Sequence, residues 1–155
     1  MAFQKILVPV DFSACSREAY AAAVSLARQF DGRLVVFHVI NSRDVGLLAE
    51  IGSLKGDVLE KALYKRAQLK LGAFLSNHPP DVKMHRIVVK GIPFSEIGKI
   101  SRKEKVDLIV MGRYGGTGEV DKVLFGGTAE KVVRIAPCAV LSIPLAERAA
   151  ERPST

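Results

Sequence analysis

With 155 residues, the chain is long enough to bury one core without help from a metal or a disulfide, so a single domain is expected. Hydrophobic residues make up 48%, aromatics only 6%, and tryptophan is absent, which suits the aliphatic core of a buried parallel sheet. The formal charge of +7 is spread over several segments and not gathered in one arm, which argues against a nucleic-acid surface, and no apolar run approaches the roughly 20 residues of a membrane helix.

Met1 leads almost at once into a strand-like run, without the basic and apolar stretch of an export signal, so a cytoplasmic location is expected. Cys15 and Cys138 are far apart and lack CxxC or Cys/His spacing, so both are read as reduced thiols in the core. The densest basic group, Lys99, Arg102, Lys103 and Lys105, reads as the solvated end of a helix, where cations meet the negative dipole.

Lys5 to Val10 reads as strand one, and Asp11-Phe12-Ser13 then offers small polar residues able to cap a helix. Tyr20, Ala23, Val24 and Ala27 follow at helical spacing, and Asp31-Gly32 closes helix one. Leu34 to Ile40 is apolar apart from His38, as a strand buried on both faces should be. His38 itself is read as a satisfied core histidine near the sheet end. Asn41 to Gly56 reads as a mobile loop, and Leu59, Ala62, Leu63, Ala67, Leu71 and Phe74 mark a helix that His78-Pro79-Pro80 stops. Met84 to Lys90 supplies strand three. Gly91-Ile92-Pro93 turns into a helix that ends near Lys105, with Pro93 at its first position. Val106 to Met111 is strand four, Ala129, Val132, Val133 and Ala136 repeat the helical stripe, and Cys138 to Ile143 is strand five.

This alternation predicts a doubly wound α/β domain over residues 1–145, with helices on both faces of a mainly parallel sheet and a frayed tail over 146–155. Ligands of such sheets collect outside the carboxyl ends of the strands, where strand order reverses. Met111 to Gly118 leaves strand four with four glycines, and Gly126-Gly127-Thr128 opens the next helix. Glycines there let backbone N–H groups approach phosphate oxygens, and the helix N-terminus adds a favourable dipole. The pattern is neither a Walker A loop nor a G-x-G-x-x-G fingerprint, and a plain flexible loop is the competing reading. Arg113 and Lys122 are further cations able to neutralise phosphate charge.

From Lys5 to Pro144 the chain resembles the universal stress protein A family. The resemblance is carried by Ile6-Leu7-Val8-Pro9-Val10-Asp11-Phe12-Ser13, Val36-Phe37-His38-Val39, Gly91-Ile92-Pro93 and Val106 to Gly112. Gly126-Gly127-Thr128-Ala129-Glu130-Lys131-Val132-Val133 and Ala136-Pro137-Cys138 complete it. It implies a five-stranded parallel sheet of order 3-2-1-4-5, of the adenine nucleotide alpha hydrolase-like type. In the nucleotide-binding branch it implies an ATP site framed by G-x2-G-x9-G-[ST]. Gly112-Arg113-Tyr114-Gly115 supplies the first half, but ten residues, Gly116 to Phe125, precede Gly126, and Gly127 stands where the hydroxyl residue belongs, with Thr128 one place later.

By this resemblance Asp11 and Val39 meet the adenosine, Gly112 the ribose, and Gly115, Gly126, Gly127 and Thr128 the phosphates, with Pro9, Val10 and Met111 completing the site. The implied ligand is ATP, with or without Mg2+, and ADP or AMP as alternatives. Asp11 has a second reading as a helix N-cap, a duty for which Ser13 competes. Gly126 is expected at a positive φ that a β-branched residue resists. The function expected is an adenine-nucleotide sensor in stress response. The alternative is a dimeric interaction module that holds no nucleotide, and a weak ATP hydrolase is the third reading. A homodimer through the edge strand Ala139 to Ile143 is expected in either case.

Overall fold

The computed structural model describes residues 2–115 and 126–145. Lys5–Pro9 (β1), Arg33–Asn41 (β2), Lys83–Gly91 (β3), Leu108–Gly112 (β4) and Ala139–Ile143 (β5) form one parallel sheet of order β3-β2-β1-β4-β5. Ala14–Gln29 (α1), Ser42–Ile51 (α2), Gly56–Phe74 (α3), Pro93–Glu104 (α4) and Gly127–Ile135 (α5) connect the strands. The expected order therefore holds. The readings of 146–155 as a tail, of Lys122 as a phosphate partner and of the segment 116–125 lie outside the described residues.

Strand alternation divides the core into two layers. Ile6, Val8 and Val10 join Leu34, Val36, Leu108 and Val110 on the face covered by α1 and α3, where Ala19, Ala23, Leu71 and Phe74 pack. Leu7, Val35, Phe37, Ile109 and Met111 face α4 and α5, against Ile97, Ile100, Ala129 and Val132. The central strands are buried on both sides, which is why they read as unbroken apolar runs.

Two details of the strand boundaries follow from hydrogen bonding. Val106 N–H donates to Ser101 O at the end of α4, and the Asp107 carboxylate accepts from the N–H groups of Gln4 and Lys5 at 3.1 and 2.8 Å. Val106 N–H is thereby kept by α4, Asp107 N–H makes the first main-chain bond to β1 at Lys5 O, 2.8 Å, and β4 proper begins at Leu108. Within the basic group at the end of α4, Lys99 pairs with Glu96, and Arg102 donates to Gly98 O and Ile135 O.

The segment from Asn41 to Gly56 corrects the expected loop, because Ser42–Ile51 is helical. Asn41 caps it by accepting from Arg43 N–H at 3.1 Å. The helix was hidden because it buries no residue fully: Leu47 and Ile51 are 61% and 82% exposed, and Gly46 interrupts the middle. An apolar stripe facing a core, the usual mark of a surface helix, is missing.

Leu71 on α3 is 1% exposed inside the core and Leu69 is 67% exposed two residues away. Leu71→Ala is expected to lower unfolding stability by about 2–5 kcal/mol and Leu69→Ala by no more than about 0.5 kcal/mol, as read from urea denaturation.

Candidate functional site

Strand order reverses between β1 and β4, so the loops leaving their carboxyl ends part and open a crevice. A cavity of about 630 Å³ lies there. Every residue expected at the site lines it: Pro9, Val10 and Asp11 after β1, Val39 on β2, Met111, Gly112 and Gly115 from β4 onward, and Gly126, Gly127 and Thr128 at α5. Arg113 lines it too.

The two halves of the glycine motif are stitched by main chain. Arg113 N–H donates to Ile143 O, and Gly126 N–H donates to Arg113 O, each at 2.8 Å. Gly112 is required by close approach, since a Cβ there would lie 2.9 Å from the carbonyl carbon of Cys15 on α1. A Cβ at Gly115 would sit 3.2 Å from Asp11 Oδ2, so this backbone runs directly beside the Asp11 carboxylate.

Gly126 departs from its expected geometry. Its φ is −64°, and a Cβ would meet Arg113 O at 3.1 Å and Gly115 N at 3.4 Å. The constraint on Gly126 is thus the seam between the two loop halves and not a positive φ. Gly127 is the opposite case, for among the described residues a Cβ there would meet nothing within 4 Å beyond its chain neighbours and its own helix backbone. The space over the first residue of α5 opens into the cavity.

The helix starts around the cavity differ in how their donors are used. At α1, Ser13 is the N-cap and its Oγ accepts from Ser16 N–H at 3.1 Å. Capping therefore falls to Ser13, and Asp11 stands outside the helix with Oδ1 accepting from Ser13 N–H at 3.0 Å. Phe12 between them has φ +66°, a left-handed conformation that costs a non-glycine residue about 1–2 kcal/mol. At α5 the N-cap is Gly126, with no side-chain cap. The first N–H groups of α5 and the positive end of its dipole are thus directed to the cavity.

Several lining residues were not assigned to the site by sequence reasoning: Phe12, His38, which was read as a core histidine, Asp44 and Leu48 of α2, and Arg66 and Lys70 of α3. Helical spacing places Arg66 and Lys70 beside Leu63 and Ala67, but no sequence signal shows that this part of α3 overhangs the strand ends. His38 is half-buried, and its Nδ1 lies 2.7 Å from Val10 O. A carbonyl only accepts, so Nδ1 carries the proton. Burial, more than any other influence, holds the imidazole below its usual value, and the Lys70 ammonium acts in the same direction against the Val10 hydrogen bond and the Asp11 charge. Cys15 is buried with its thiol donating to Ile143 O at 3.1 Å, and the half-buried Cys138 thiol is pushed up by burial.

With this geometry in place, comparison with known proteins is decisive for kinship. The profile of the Universal stress protein family matches residues 2–144. The chain belongs to the universal stress protein family. Universal stress protein MJ0531 of Methanocaldococcus jannaschii is 35% identical over 147 residues, covering 91% of this chain and 82% of its own length. Universal stress protein MJ0577 of the same organism is 30% identical over 146 residues, covering 85% of this chain and 89% of its own. The solved structure of MJ0577 superimposes with a TM-score of 0.81 at 27% identity, over the whole of both chains. A universal stress protein from Archaeoglobus fulgidus, solved in complex with dAMP, shares the fold with a TM-score of 0.61 at 18% identity, over 92% of this chain and 99% of that one.

The His38 environment sets a pH dependence. The unfolded chain takes up the imidazole proton near about pH 6.5 and the native chain only at lower pH, so between these values the unfolded state holds more protons. This contribution to stability is full above the unfolded value and declines as pH falls toward the native one. His38→Gln is expected to flatten the acid-side decline of the urea midpoint below about pH 6.5, and an unchanged slope contradicts the assignment.

Proposed function

We propose that the protein binds an adenine nucleotide, ATP foremost, in the cavity above β1 and β4, and acts in the cytoplasm as a nucleotide sensor in stress response. The observation that carries this reading is the start of α5, where a helix without a side-chain cap meets open space at Gly127. Backbone N–H groups of Gly115, Gly127 and Thr128 take the phosphates there, since open donors and the helix dipole both favour an anion, while Gly126, whose N–H is spent on Arg113 O, shapes the wall beside them. Asp11 and Val39 hold the adenosine, Gly112 the ribose, and Pro9, Val10 and Met111 complete the walls. Mg2+ enters with the phosphates. The dAMP held by the Archaeoglobus fulgidus relative supports an adenine nucleotide as the ligand class. Beyond weak ATP hydrolysis, no catalysis is part of this reading.

A second reading, a dimeric interaction module without nucleotide, is favoured by Gly127 in place of the hydroxyl residue and by the ten residues between Gly115 and Gly126. Calorimetric titration with ATP and magnesium, ADP and AMP separates the two. Gly127→Asp puts a carboxylate where none of the described residues obstructs its Cβ and where the helix dipole stabilises it, so the fold is expected to stay intact while phosphate binding disappears. Thr128→Ala is expected to cost only about two- to tenfold in affinity. A folded wild type that binds none of the three nucleotides, and releases none on heat denaturation, establishes the interaction module instead.

The homodimer forms through β5, which among the described residues pairs with β4 alone and has no strand on its other edge. Val140 packs against the core on the α4 and α5 face, so the outward position for a disruptive charge is Leu141, 39% exposed. Leu141→Glu is expected to turn a dimer into a monomer in light scattering without unfolding the chain. A wild type that is monomeric at roughly tens of micromolar contradicts the interface.

A further inference from the structure

The cavity continues past the residues assigned to the nucleotide, onto the other face of the sheet. Val39 and Met111 belong to the α4 and α5 side, whereas Phe12 packs on the α1 and α3 side. His38, the neighbour of Val39, points to that second side by strand alternation. The rings of Phe12 and His38 lie 4.5 Å apart and both line the cavity, so we take this side of it as a second lobe. Arg66 and Lys70 line it from α3 at i and i+4, the spacing that puts two side chains on one helix face. The Lys70 ammonium lies 5.4 Å from the centre of the Phe12 ring.

Neither cation makes a salt bridge among the described residues, although five other basic residues do. The acid on the facing wall, Asp44, stands in the first turn of α2, where it complements the dipole of its own helix. Asp11, at the boundary of the two lobes, accepts from Ser13 N–H. The field of the Lys70 ammonium reaches His38 and helps to keep that imidazole neutral, so the lobe's cationic character comes from α3.

We propose that this lobe is an anion subsite that takes a second phosphate of the bound nucleotide, one carried on the nucleoside and not on the 5′ chain. The ligand class preferred is an adenosine phosphorylated at both the 3′ and 5′ positions. This inference rests on the nucleotide reading above. The glycine seam takes the 5′ phosphate, the Arg66 guanidinium offers a planar fork to the second phosphate, and Lys70 supplies a point charge beside it.

The test is calorimetric titration of AMP and of adenosine 3′,5′-bisphosphate into wild type and into the Arg66→Gln, Lys70→Gln double variant, whose exposed positions leave the core untouched. Wild type is expected to bind the bisphosphate about tenfold more tightly than AMP at low salt, with the advantage shrinking as salt rises. The double variant is expected to bind AMP as wild type does and to lose the advantage. Equal affinities in wild type, an advantage that survives in the variant, or an equal fall for both ligands overturns the subsite while the nucleotide reading stands. Failure of wild type to bind either ligand overturns both.

Discussion

The backbone of Arg113 ties three elements together: its N–H donates to Ile143 O at the end of β5, and its carbonyl accepts from Gly126 N–H at the threshold of α5. These two hydrogen bonds hold the start of α5 over the end of β4. Gly112 makes the arrangement possible from below, because only a residue without a Cβ lets β4 pass the Cys15 backbone. Where α5 begins, and what its first N–H groups face, follows from this seam.

The helix starts differ in how their first N–H groups are satisfied. Ser13 accepts from one first-turn N–H of α1 and Asn41 from one of α2, whereas α3, α4 and α5 have no side-chain cap. The start of α5 has no side-chain cap and looks onto a cavity also bordered by the Asp11 carboxylate. On the proposed nucleotide reading an anion supplied from outside would satisfy it, and an Asp at Gly127 would compete with that anion. The left-handed Phe12 belongs to the same design, for its turn carries Asp11 clear of the cap and lays the Phe12 ring on His38.

The central strands were legible because burial on both faces demands unbroken aliphatic runs, as Leu34 to Phe37 shows. Helix α1 was legible because Tyr20, Ala23, Val24 and Ala27 repeat at helical spacing, and the last three are buried. Strand order was not read from spacing. It came with the family resemblance, whose motifs span both sides of the reversal. Helix α2 was illegible because its apolar residues point to solvent or toward the cavity, leaving no core stripe. The glycines were recognised as a group but not sorted: Gly126 answers to Arg113 O, Gly112 to Cys15, and Gly127, among the described residues, to nothing beyond its chain neighbours and its own helix backbone. That distinction depends on distances between residues far apart in sequence. The Arg66 and Lys70 wall was missed for the same reason, since nothing local tells where along its 19 residues α3 passes the strand ends.

The most direct test of the α5 cradle is a backbone amide NMR titration of the wild-type protein with AMP and with ATP and magnesium. Nucleotide binding at the cradle requires the largest shift changes at the amides of Gly115, Gly127, Thr128 and Ala129, with ATP moving them further than AMP as its phosphates fill the α5 terminus. Changes confined to other parts of the surface, or a spectrum that stays the same at saturating nucleotide, would contradict the assignment of this face to phosphate binding.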